Sequence, residues 1–412
     1  MKYGPREVDR LATGRKGGAF PFRASPSILK TPASLARNPD SAAQDSRLSS
    51  AIGIARVLCI LGIVYVHAWT GLPSGDLAQQ TGTPQGILRW ALIDLLGRGA
   101  VPLLSVVSGW LVAESLAKRG WRTFLAGKAR TVLLPMVAWN AIAILLVSGA
   151  AWLGWIQAPL PTTLWWTIDE LFCLASPNDI NVQMSFLRDL FVCMALAPLL
   201  VRLPTWALGL AALGVLIWSV SGFAFVLLLR PAILLFFIAG IVARRHDLAA
   251  RAAVRPMFLT GSAYALLAGV QIWLETVGIA RGVNDPLLLA SIDLVMRGVT
   301  ALFFWTIAWR LAGSRLGPGL VALEPYAFLM FSAHLIMIWL GGPLIGRLTG
   351  PLGAPLYPVF LLAQPLLVLG GTLLLGRMLV STSPTMSRLL SGGRLTGDNE
   401  NRGPLNLTPR MR

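Results

Sequence analysis

Between residues 51 and 379, apolar runs near the length of a bilayer crossing alternate with short polar or charged connections. A helix needs about 20 mostly apolar residues to cross the hydrocarbon core. The pattern predicts ten such helices, at about 51–70, 90–115, 132–153, 186–201, 205–220, 226–243, 257–274, 289–309, 326–345 and 357–379. Period-two alternation, the mark of a membrane barrel, does not occur. Ser219-Val220-Ser221-Gly222 makes a tight turn before the sixth segment, and Arg230-Pro231 interrupts that segment. Its helix is expected to begin after Pro231, because proline removes a donor and clashes with the preceding turn. The fold class is therefore all-α, a polytopic membrane protein with about ten transmembrane helices.

The flanks read differently. Residues 1–50 are rich in Arg, Ser, Ala and Pro without a sustained apolar period, and 381–412 are polar. Both are expected to be disordered tails around one transmembrane domain, residues 51–380.

Composition agrees with this picture. Of 412 residues, 55% are hydrophobic and 13% charged, and the mean hydropathy is +0.67. A soluble domain carries about 25% charge. A net charge of +17 suggests nucleic acid until its location is considered. Lys118, Arg119, Arg122, Lys128 and Arg130 fall in the 116–131 loop, and Arg244, Arg245, Arg251 and Arg255 fall in 244–256. The long 154–185 loop holds Asp169, Glu170 and Asp179 and neither Lys nor Arg. This asymmetry is the positive-inside pattern of a cytoplasmic (inner) membrane protein with both termini in the cytoplasm. The partner implied is the lipid bilayer, not nucleic acid. The acidic loop, with Trp165 and Trp166, is long enough to be a lid, and its tryptophans equally suit an interfacial anchor. Cys59, Cys173 and Cys193 have neither disulfide nor metal-ligand spacing, and no bound metal or cofactor is expected.

Ionisable groups inside the apolar runs are expensive and usually functional. Arg56 and His67 share the first run. Eleven residues on a helix are three turns, so both side chains lie on nearly one face, roughly 16 Å apart along the axis. His334 is embedded in the ninth run, where an imidazole serves either a site or helix–helix hydrogen bonding. His246 lies in a basic loop and is most simply solvated. Asp94 with Arg98, and Asp293 with Arg297, are four apart and are expected to pair. Arg188 and Asp189 are adjacent and are expected to face apart, without pairing. Ser108-Gly109 reads as a helix-packing step.

Five stretches together resemble the integral-membrane acyltransferase family 3, whose members acylate cell-envelope carbohydrates. The first is Arg56 to His67, an arginine and a histidine with ten residues between. The second is Gly97-Arg98-Gly99-Ala100-Val101-Pro102-Leu103 with Val107-Ser108-Gly109-Trp110-Leu111. The third runs from Phe124 through Arg130 to Pro135. The fourth is Phe186-Leu187-Arg188-Asp189-Leu190-Phe191 with Pro198. The last is Tyr326 through Phe331 to His334. Ser185 stands where a tryptophan often precedes the fourth stretch.

The resemblance implies an acyltransferase with acyl-CoA as co-substrate, acetyl-CoA being the first candidate. The acceptor would be a hydroxyl of an envelope polysaccharide, lipid-linked saccharide or glycolipid. Acyl transfer to a hydroxyl needs a proton acceptor, and imidazole titrates near neutrality, so His67 is the candidate catalytic base or acylated nucleophile. Arg56 is the candidate ligand for the CoA phosphates, joined by Lys128 and Arg130. Arg188 and His334 are candidate acceptor-site or structural residues. The competing reading is a proton-coupled secondary transporter that uses His67.

Overall fold

The computed structural model describes residues 39–395, apart from 224, 279 and 280. Contacts divide the chain into two units, 1–42 and 43–412, and the site lies in the second. Each of the ten apolar segments is helical. They are α1 (Pro39–Val66), α2 (Pro84–Lys118), α3 (Trp121–Trp152), α5 (Met184–Leu200), α6 (Thr205–Ser221), α7 (Ala232–Arg245), α8 (Met257–Trp273), α9 (Pro286–Ala312), α10 (Gly317–Thr349) and α11 (Tyr357–Thr382). Shorter helices lie between and after them, among them α4 (Leu164–Phe172) and α12 (Pro384–Leu390). No strand occurs among the described residues.

Six of the helices, α1, α2, α3, α9, α10 and α11, are long and apolar enough to cross a membrane. α5, α6 and α8 have 17 residues and α7 has 14. α7 begins at Ala232, directly after Pro231, as the proline requires. α8 meets the helix Leu248–Val254 at a 91° bend next to Pro256.

Both expected tails were drawn too long. α1 starts at Pro39, so residues 39–50 are helical. Composition alone hides this, because the helix is held by tertiary contacts. Arg47 stacks over the Trp309 ring at 4.9 Å and donates to the Trp309 carbonyl, and Leu48 packs against the core. At the other end, Ser383 caps α12 by accepting from the Met386 N–H, and Leu390 and Leu395 are buried. Residues 1–38 and 396–412 lie outside the described residues.

α1 sits centrally, with Ile54 and Val64 fully buried. α2 and α7 cross at glycines. A Cβ on Gly109 would come 2.0 Å from the Phe237 carbonyl oxygen, and one on Gly240 would come 2.1 Å from that of Val106. Ser108-Gly109 is thus a packing step, as expected, although Ser108 also faces the cavity described below.

The 154–185 loop is folded, not loose. Thr163 caps α4 by accepting from the Trp166 N–H, and Cys173 ends it at φ 52°. Glu170 then gathers the returning chain, accepting from the N–H groups of Asp179 (2.7 Å), Ile180 (3.0 Å) and Asn181 (3.4 Å). Burial pushes the Glu170 carboxyl up, and those three donors pull it part of the way back. Trp166 bonds Asp179, while Trp165 is exposed.

Candidate active site

α1 and α10 are joined at two levels. Arg56 donates to Glu324 at 2.6 Å, and the rings of His67 and His334 stand 5.5 Å apart, tilted by 39°. Going from the first level to the second advances both helices in the same direction, so they run parallel. Ten residues of α10 are about 15 Å of rise, close to the roughly 16 Å from Arg56 to His67 on α1. A charged level and an imidazole level therefore face each other across about 15 Å of bundle.

The imidazole level is held from several directions. α1 ends at Val66, and His67 occupies the turn beyond, its N–H bonded to the Val64 carbonyl at 3.2 Å. The next residues are clamped to α10 and α11. Gln364 accepts from the Trp69 N–H at 2.8 Å and donates to its carbonyl, and the Tyr357 hydroxyl donates to the same carbonyl at 2.9 Å. The Trp69 ring lies so close to α10 that a Cβ on Gly342 or Gly346 would come within 2.5 Å or 2.0 Å of it. The π turn Leu92–Gly97 in α2 closes the other side, with Gly97 against Val66 and Leu96 O 3.0 Å from a Cβ on Gly62.

His334 is fully buried, and its Nδ1 lies 2.8 Å from the Phe331 carbonyl. A carbonyl only accepts, so Nδ1 carries the proton and Nε2 keeps its lone pair. Nε2 is buried without a hydrogen-bond partner, as are Ser332 Oγ and Gln183 Oε1. Gln183 also reaches the Phe331 carbonyl, at 3.5 Å, so the end of the 154–185 loop touches the turn of α10 that sets the His334 tautomer. A native interior seldom leaves buried polar groups unsatisfied, and His334 Nε2 beside the His67 ring, with Gln183 bonded to the same turn of α10, marks a place for a polar ligand.

A cavity extends from the charged level. Its lining includes Arg56, Lys128, Glu324 and Arg394, the last over the Phe328 ring at 4.2 Å, together with Ser108, Ser115, Phe186 and Phe331. Phe331 meets Phe186 edge-on at 5.7 Å and His334 at 6.2 Å, so this aromatic pair stands between the cavity and the imidazoles.

The structure thus joins Arg56 with Lys128 and His67 with His334. Arg130 is exposed and does not line the cavity. Arg188 overturns one expectation, because its Nη1 pairs with Asp189 at 2.8 Å. The long guanidinium arm curls back over its neighbour while both bind the approach to α7. Asp189 accepts from the Leu229 and Arg230 N–H groups, and Arg188 donates to the carbonyls of Val226, Leu227 and Leu174. Arg188 is thereby tied into the fold. The other two expected pairs form, Asp94–Arg98 at 2.9 Å and Asp293–Arg297 at 2.8 Å, and Arg98 bridges them through Asp293 at 3.4 Å. Sequence reasoning missed the pairing of Glu324 and missed Arg394 and Gln183 altogether.

The acyltransferase domain family matches residues 50–376. The chain belongs to this family. It is also 27% identical over 368 residues to the succinoglycan biosynthesis protein ExoH of Rhizobium meliloti (strain 1021), covering 85% of this chain and 94% of that protein. No solved structure matches. The protein is a multi-pass membrane acyltransferase, and the transporter reading falls away.

Proposed function

We propose that the protein moves an acyl group from cytoplasmic acyl-CoA to a hydroxyl of an envelope polysaccharide or its lipid-linked precursor. The observation that carries this reading is the pair of levels joining α1 and α10, with a cavity that is lined by Arg56 and Lys128 and by Phe331, the ring that packs against His334. The relative's printed role in succinoglycan biosynthesis supports a saccharide acceptor. Acetyl-CoA is the simplest donor.

The phosphates of the donor sit against Arg56 and Lys128 in the basic mouth, on the cytoplasmic side, and the arm carries the thioester past Phe186 and Phe331. His67 takes the proton of the acceptor hydroxyl as its oxygen attacks the thioester carbonyl. The carbon–sulfur bond breaks, and the same imidazole returns the proton to the departing thiolate. His334, its Nδ1 proton committed to Phe331, presents a lone pair beside His67 and steadies the charged ring. Closing the site with Trp69, the aromatic pair and the 154–185 loop keeps water from taking the acyl group.

Membranes containing the protein, incubated with radiolabelled acetyl-CoA and the cell's saccharide fraction, should give a labelled, alkali-labile saccharide. Label that remains on CoA, with acetyl, propionyl and succinyl thioesters alike, would overturn the donor assignment.

A further inference from the structure

We infer that Arg230 is a second catalytic residue, the cation that receives the negative charge of the carbonyl oxygen during acyl transfer. The inference rests on the transfer reaction proposed above. That reaction needs donors for a developing oxyanion as well as a base.

Packing sets the level of Arg230 in the bundle. α2 and α7 run parallel. Gly109 lies against the Phe237 carbonyl, and further along both helices the Arg244 guanidinium stands over the Trp110 ring at 4.2 Å and pairs with Glu114 at 3.5 Å. Arg230 precedes Phe237 by about two turns, which brings it back along α2 by roughly 10 Å, to the neighbourhood of Gly99 and Ala100. Gly97 packs on Val66, the residue before His67, and Gly99 packs on Thr300 of α9, one turn from Arg297. Arg230 therefore shares the imidazole level, and its charge acts on the His67 ring and on Arg297.

The other arginines near that level are committed. Arg98 is paired with Asp94 and Asp293, Arg297 with Asp293, and Arg188 with Asp189 and three carbonyls. Arg230 is held differently. Asp189 accepts from its backbone N–H at 2.8 Å, and Pro231 follows at the start of α7. The guanidinium itself makes no hydrogen bond or ion pair among the described residues, and the residue is exposed. Asp189 acts on it electrostatically, but the oxygens of that carboxylate are taken up by Arg188 Nη1 and the N–H groups of Leu229 and Arg230. An arginine fixed at its backbone and uncommitted at its tip, beside the proposed base, is arranged for charge that appears only in the reaction. As the acceptor oxygen adds to the thioester carbon, the carbonyl electron pair moves onto its oxygen. The Arg230 fork donates to that oxyanion. The pair returns to re-form the carbonyl as the carbon–sulfur bond breaks, and the thiolate leaves with the proton carried by His67.

The test uses the full chain in detergent, with acetyl-CoA and the cell's saccharide fraction. Wild type should transfer the acetyl group. If it does not, the transfer reading fails, whatever Arg230 does. Arg230→Ala should lower kcat about 10²–10³-fold, the usual loss of one oxyanion donor, and leave the half-saturating amounts of both substrates unchanged. Guanidinium ion at millimolar concentration should restore part of the rate, and urea at the same concentration should not. Arg230→Lys should fall between, because it keeps the charge and loses the fork. Should the alanine variant fail to fold, Arg230→Met, which keeps the bulk without the charge, decides by the same kcat and the same rescue. A folded variant with the wild-type kcat would overturn the inference. So would a loss confined to the half-saturating amount of saccharide, or a fall in kcat that guanidinium ion does not relieve.

Discussion

At the scale of single residues, the decisive contacts are the ion pair Arg56–Glu324 and the neighbouring imidazoles of His67 and His334. Arg56 has two candidate duties, to neutralise Glu324 and to hold the donor. Exchanging Glu324 for glutamine separates them. If Arg56 serves only its partner, Glu324→Gln should mimic Arg56→Ala. The donor role predicts the opposite: Glu324→Gln keeps acyl-CoA affinity or tightens it, while Arg56→Ala loses about ten- to hundredfold, the roughly 1.5–3 kcal/mol of a charged hydrogen bond. Arg56→Lys should lie between, with the loss in KM and not in kcat. Titrating acyl-CoA in initial-rate assays of the three variants checks this. Arg56 and His67 stand out in the sequence because one apolar run holds both at three-turn spacing, although α1 ends at Val66 and His67 lies in the turn beyond it. The partnership with Glu324 was not legible, since it spans 268 positions of chain. The meeting of the two histidines was hidden for the same reason, since local spacing carries no information about which helices become neighbours.

At the scale of elements, the ten helices follow from the apolar runs, with six of them long enough to cross a membrane, and the start of α7 follows from Pro231. The ends of the domain do not follow. Residues 39–50 and 383–395 are polar enough to read as tails, and only Arg47 on Trp309, Ser383 at the start of α12 and the buried Leu395 reveal their order. The crossing of α2 with α7 admits no side chain at Gly109 or Gly240. Alanine at either should destabilise the fold by about 1–3 kcal/mol or more, because backbone has to move. A fall in thermal midpoint measured on purified protein in detergent tests this, and an unchanged midpoint would mean the helices are less closely apposed. The 154–185 loop makes a prediction in pH. Burial raises the Glu170 carboxyl above its ordinary value. The closed loop therefore binds that proton more tightly than the open one, and its contribution is full below the ordinary carboxylate range. It is lost as pH rises through the raised value. Hydrogen exchange at residues 179–181, corrected for intrinsic rate, should show protection falling over that window, and Glu170→Gln should abolish the trend. Protection that grows with pH would mean the three N–H donors outweigh burial.

At the scale of the whole molecule, the account requires the cationic level to face the cytoplasm and the 154–185 loop to face outward. The charge asymmetry of the loops predicts this orientation. All three native cysteines are buried, so a single new one reports cleanly. A cysteine in place of the exposed Thr162 should react with an impermeant thiol reagent on intact cells, and one replacing the exposed Arg122 should react only after permeabilisation. The reverse pattern would place the donor mouth on the wrong side for CoA.

The central claim is that His67, beside His334, carries the proton during acyl transfer. Its most direct test is the initial rate of radiolabelled acyl transfer to saccharide by His67→Ala, in protein shown to be inserted and helical. Removing a general base typically slows a reaction about 10²–10⁴-fold. The account predicts a loss of that size, with acyl-CoA affinity preserved and one ionisation missing from the pH–rate profile. His334→Ala should lose less, because it supports the ring that acts. A folded His67→Ala protein that transfers acyl groups at the wild-type rate would contradict the account.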